Sequence, residues 1–88
     1  SSSAMASEPG VDMRVTIKDE EEVADIGTAL ERAGVIKSRY AFIIQCIFYD
    51  YGTSDHPVEG GTYLLNNSMT SKEIILALRD GIEDEAEE

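Results

Sequence analysis

A strand–turn–helix pattern is written twice in this chain, and the repeat limits what the chain can fold into. The first copy is Val15-Thr16-Ile17, an acidic turn, and a helix carrying Ile26, Ala29 and Leu30. The second is Tyr63-Leu64-Leu65, a polar turn, and a helix carrying Ile74, Ala77 and Leu78. Corresponding positions are all 48 residues apart. Each helix then meets a glycine, Gly34 or Gly81, followed by an apolar residue. Two βα units therefore build the fold, and the residues between them need their own explanation.

The first strand is marked by alternation: Val11, Met13, Val15 and Ile17 face one way, Asp12, Arg14, Thr16 and Lys18 the other. Asp19 fits a helix N-cap, and Glu22 three residues later completes a capping-box pattern. Val23, Ile26, Leu30 and Ala33 then share one helical face, and Gly34 is a natural stop. After the short apolar connector Val35-Ile36-Lys37, Ser38 caps a second helix over about Arg39 to Asp50. That helix is apolar nearly all round, so it is either wrapped by the domain or covered by something else. Gly52 to Gly61 reads as a polar loop, Thr62 to Asn66 as the second strand. Thr70 with Glu73 forms a second capping box, from which Ile74, Ile75 and Leu78 turn inward. The predicted order is β-α-α-β-α. Two strands make a poor sheet alone, so the helices must supply most of the burial.

With 88 residues there is room for one small core, and a hydrophobic content of 42% suffices for it. Of 18 acidic residues, Glu83, Asp84, Glu85, Glu87 and Glu88 sit in the last six positions; the other 13 against 7 basic residues leave the body at −6. We read 1–10 as an expression remnant or linker, 11–81 as the domain and 82–88 as an acidic disordered tail. The longest apolar stretch, Tyr40 to Tyr49, is ten residues broken by Gln45, short of the ~20 that a membrane span requires. No basic patch exists to replace phosphate counterions, which argues against nucleic acid. Cys46 is the single cysteine, set among isoleucines and Phe48, and reads as a small core hydrophobe.

The segments Gly34-Val35-Ile36-Lys37-Ser38, Glu59-Gly60-Gly61-Thr62-Tyr63-Leu64-Leu65, Met69-Thr70-Ser71-Lys72-Glu73-Ile74 and Leu78-Arg79-Asp80-Gly81 together resemble a known family. In that order they are similar to the LysM-like subdomain that precedes the catalytic domain of YceG-like, MltG-type endolytic murein transglycosylases. The resemblance covers about Val15 to Gly81. It implies an α+β fold, a LysM-like β-α-α-β unit with a two-stranded antiparallel sheet and an added C-terminal helix. It further implies a bacterial, cell-wall-associated, extracytoplasmic module, membrane-anchored through a segment removed from this sequence. The family's catalytic glutamate belongs to its later domain, so no catalytic residue carries over. One departure stands out: where relatives carry a Gly-Ser type turn, this chain has Lys18-Asp19-Glu20-Glu21-Glu22.

By the same resemblance, a glycan groove is expected between the turn after the first strand (Lys18, Asp19, Glu20) and the segment entering the second (Gly60, Gly61, Thr62). Tyr51 and Tyr63 flank that loop and offer faces for stacking on sugar rings, and Gly60-Gly61 permits close approach of a ligand. Asp50, Asp55, His56 and Glu59 share the loop without metal-site geometry, so they read as polar filler. No cofactor or metal is expected. The carboxylates lie at helix starts and on solvated faces, where none is held protonated for general acid work. The expected function is non-catalytic: binding or positioning peptidoglycan strands, or a cell-wall enzyme. The alternative is a protein-interaction or dimerisation module that uses the apolar second helix, forming a homodimer.

Overall fold

A computed structural model describes residues 4–81 of the chain. The order is β1 (Asp12–Ile17), α1 (Val23–Arg32), α2 (Arg39–Phe48), β2 (Gly61–Asn66) and α3 (Ser71–Arg79). This is the expected α+β class, a β-α-α-β unit with one more helix. The strands pair antiparallel, from Asp12 opposite Asn66 to Ile17 opposite Gly61. Met13, Val15 and Ile17 share the inner face with Tyr63 and Leu65, while the hydroxyls of Thr16 and Thr62 meet outside at 3.4 Å. Val11 lies before the strand and is exposed rather than inward.

The duplication seen in the sequence reappears in the ladder and in the burial of matching residues. Val15 pairs with Tyr63, its own counterpart in the repeat, so the local two-fold of the antiparallel ladder passes through that pair. Ile17 and Leu65, Ile26 and Ile74, and Leu30 and Leu78 are buried alike. The repeat extends to Asp19 and Asn67. Each lends a side-chain oxygen to the N–H of a residue leading into the other strand: Gly60 N–H to Asp19 Oδ1 at 2.6 Å, Val11 N–H to Asn67 Oδ1 at 2.8 Å. Residues before β1 continue along this end, with the Ala6 N–H donating to the Asn67 carbonyl at 2.9 Å.

Helix ends follow local chemistry. Thr70 and Glu73 form the expected capping box, each side chain accepting from the other's backbone N–H, an arrangement worth about 1 kcal/mol. Ser38 caps α2 by accepting from the Ala41 N–H. After α1, Gly34 at φ +77° lets the Val35 N–H reach the Leu30 carbonyl at 2.9 Å, and Val35 is buried there. The predicted Asp19–Glu22 box does not form. Asp19 is committed to Gly60, so α1 starts later, with Glu22 at the N-cap and no side-chain cap bond. Ala33, expected inward, is the exposed C-cap.

The core joins Ile17, Ile26, Leu30, Val35, Phe42, Cys46, Tyr63, Leu65, Ile74, Ile75 and Leu78. Gly27, unremarked in the sequence, is buried at the crossing of α1 and α2; a β-carbon there would stand 3.1 Å from the Phe42 ring. Among the described residues, no helix is long and apolar enough to cross a membrane. Residues 82–88, read as the acidic tail, and 1–3 lie outside the described residues.

Candidate functional site

The two segments expected to form the walls of a groove are joined to each other instead. Besides the Asp19–Gly60 bond, the Glu20 N–H donates to the Val58 carbonyl at 2.9 Å. A β-carbon on Gly60 would stand 2.7 Å from the Asp19 nitrogen and 3.0 Å from the Ile17 carbonyl oxygen. Gly61 is in the ladder opposite Ile17, and Thr62 opposite Thr16. Lys18 is exposed, its N–H donating to Glu21 Oε1 at 2.9 Å. The seam between Lys18–Asp19 and Gly60–Thr62 is therefore closed and leaves no space for a ligand.

The concave space lies one step further out. A groove of about 340 Å³ runs between Glu20, Glu21, Glu22 and Val23 on one side and Gly52, Thr53, Ser54, Pro57 and Val58 on the other. Of the expected site residues, Glu20 alone lines it; Glu20 adopts φ +59°, a conformation uncommon outside glycine. Val58 is buried and Val23 half-buried, so the lining combines apolar residues with three glutamates. Gly52, at φ +79°, lies against Val23: a β-carbon there would stand 2.5 Å from the valine methyl.

Tyr51 and Tyr63 are not stacking faces. They are 2% and 1% exposed and belong to the core. The Tyr63 hydroxyl donates to the Glu59 carbonyl at 2.8 Å, tying the loop to the strand it enters. Burial, reinforced by Tyr63, Cys46 and Glu21, pushes the Tyr51 hydroxyl above its ordinary pKa. Sequence placed both rings beside a loop; a phenol there points inward as readily as outward, because its apolar ring seeks the core.

The loop residues read as polar filler form an ordered latch. Asp50 follows α2 at φ +58°, where glycine is usual. Its carboxylate accepts from the Thr53 hydroxyl at 2.6 Å and bonds His56 Nδ1 at 2.8 Å. His56 Nε2 faces the Arg79 guanidinium at 3.2 Å, and Arg79 also donates to the Tyr49 carbonyl. With Arg79 donating, Nε2 is the accepting nitrogen and Nδ1–H faces Asp50. Asp55 and Glu59 are exposed and stand apart from it. Among the described residues, no group of three or more His, Cys, Asp or Glu could hold a metal ion.

The hydrogen bond from Thr53, followed by that from His56, holds the Asp50 carboxyl below its ordinary pKa of 3.8. A carboxyl depressed on folding stabilises the fold above its unfolded value, and that contribution disappears as pH falls through the folded value. Asp50→Asn, which still tolerates the left-handed backbone, is therefore expected to lower stability near neutral pH and to flatten the acid limb of the melting profile. Thermal melts of the two proteins between neutral and strongly acid pH check this; parallel profiles would mean the latch contributes nothing.

Cys46 is buried, and desolvation pushes its thiol up to about 12. Comparison of the chain with protein-family models, with curated proteins and with solved structures found no match.

Proposed function

We propose that this chain is a non-catalytic, wall-associated binding module of the LysM-like kind that its sequence resembles, and that it holds a peptidoglycan glycan strand in the groove beside Glu20–Val23. The observation that carries this reading is the groove's location. It opens between the β1–α1 loop and the α2–β2 loop of a β-α-α-β unit, one step out from the seam of Lys18–Glu20 and Gly60–Thr62 at which the resemblance places a groove. Its volume falls within the usual range for small-ligand sites.

The lining suits a neutral sugar in a particular way. Val23, Pro57 and Val58 offer apolar contact to acetamido methyl groups, and the carboxylates of Glu20, Glu21 and Glu22 accept hydrogen bonds from sugar hydroxyls and amide N–H groups. Aromatic stacking plays no part, since both nearby tyrosines are buried. The non-catalytic reading is supported by the acids themselves. No described carboxylate is buried, whereas a general acid is kept protonated by burial. With its thiol near 12, Cys46 is no thiolate nucleophile at neutral pH.

Titration of peptidoglycan oligosaccharides against isotope-labelled backbone amides is the test. Shifts are expected in residues 20–23 and 52–58, with the Asp19–Gly60 seam nearly silent. Unmoved amides in both segments with ligand in the millimolar range would remove the glycan reading.

A further inference from the structure

One face of α2 has no cover among the described residues. Tyr40, Ile44, Ile47 and Phe48 are 65%, 67%, 75% and 78% exposed, while Phe42 and Cys46 on the other side are fully buried. Spacings of three and four residues line the exposed four into a single stripe. A contiguous apolar surface of this kind marks an interaction site.

The stripe has a symmetry of its own. Tyr40 and Phe48 stand four residues before and after Ile44. A second helix laid antiparallel across it would place Ile44 on Ile44 at the axis and Tyr40 on the partner's Phe48, the self-complementarity that a two-fold interface requires. We infer that α2 pairs with α2 of a second copy of this chain, antiparallel about Ile44. This inference is independent of the groove.

Three further observations favour a second copy as the occupant. First, the whole chain carries −11, which keeps copies apart, yet α2 contains no carboxylate and a single cation, Arg39. Two copies meet there with the least repulsion. In the antiparallel arrangement Arg39 lies by the carbonyl end of the opposing helix, where a cation is favoured. Second, side chains of this size and exposure present on the order of 500 Å² per copy. A two-fold pair thus buries roughly 1,000 Å² in total, the threshold for a specific contact. Third, each outer ring already has a neighbour on its own chain. The Arg39 guanidinium lies 5.1 Å from the Tyr40 ring centroid, and Phe48 meets Tyr49 edge-on at 5.0 Å. These contacts narrow the rotamer freedom that pairing has to remove.

Sedimentation equilibrium of the full chain from low-micromolar to near-millimolar concentration tests the pairing. The mass is expected to rise from monomer to dimer, and Ile44→Asp is expected to weaken association by at least about 30-fold, with its melting temperature unchanged at low-micromolar concentration, where the chain is monomeric. A second variant fixes the geometry without relying on a charge. Ile44→Cys should form an inter-chain disulfide under mild oxidant, while Tyr40→Cys should cross-link to Phe48→Cys in a mixture and not to itself. A wild type that stays monomeric throughout overturns the inference. So does ready self-cross-linking of Tyr40→Cys alongside Ile44→Cys, which means parallel packing. A monomer that co-sediments with phosphatidylglycerol–phosphatidylcholine vesicles and loses this in Ile44→Asp assigns the face to lipid, and overturns it too.

Discussion

Phe42→Ala is expected to destabilise the chain by about 3–5 kcal/mol, whereas Phe48→Ala, six residues further along the same helix, should stay within about 0.5 kcal/mol. Phe42 is fully buried and its ring presses on Gly27 of α1, so truncation opens a void where the two helices cross. Phe48 is 78% exposed and leaves no void. A domain of this length has only about 4–13 kcal/mol in hand. The first change therefore removes much of it, and leaves a substantial unfolded population at physiological temperature. Urea titrations at low-micromolar protein, where self-association is negligible, measure both. A larger loss from Phe48→Ala than from Phe42→Ala would mean that α2 docks through the other face, and the placement of the whole helix would be wrong.

Gly60→Ala is the second change expected to be large for its size, at about 1–3 kcal/mol. The single added methyl would stand 2.7 Å from the Asp19 nitrogen and 3.0 Å from the Ile17 carbonyl oxygen, both backbone atoms with no rotamer to escape into. Relief requires the two segments to part, which stretches the Gly60–Asp19 hydrogen bond and the adjoining Glu20–Val58 bond. The melting temperature should fall by roughly 5–20 °C. Amide exchange should quicken at Gly60 and Glu20 before it does in α3. A variant as stable as the parent, with both amides still protected, would show that the seam is looser than described.

The contrast between the two capping patterns explains what was legible in the residues and what was not. Thr70 and Glu73 make their box, each side chain satisfied by a backbone N–H three residues away. Asp19 and Glu22 carry the same spacing, yet the Asp19 carboxylate goes to an N–H 41 residues away. A local pattern cannot reveal a distant competitor. The same limit applies to the groove. Its expected position was displaced because Asp19 and Gly60 bind each other, and the three consecutive glutamates that do line it were visible only as an acidic turn. For α2, an all-round apolar surface was evident from composition; which side faced out depended on where α1 and α3 came to rest. His56 left a fainter trace. The spacing Asp50, Thr53, His56 is regular enough to suggest a closed turn, but Arg79, which completes the latch, is 23 residues further on. The repeat was the most legible feature, because a 48-residue offset tests strand, turn and helix at once.

The antiparallel ladder also decides how the module is presented. Its two poles differ: at one, Ile17 and Gly61 bring the acidic turn and the long loop together; at the other, Asp12 and Asn66 receive the incoming chain. Six residues of strand separate them by about 17 Å. A tether attached upstream of Ala4 would hold the body by the second pole and leave the first projecting away from the surface to which it is fixed.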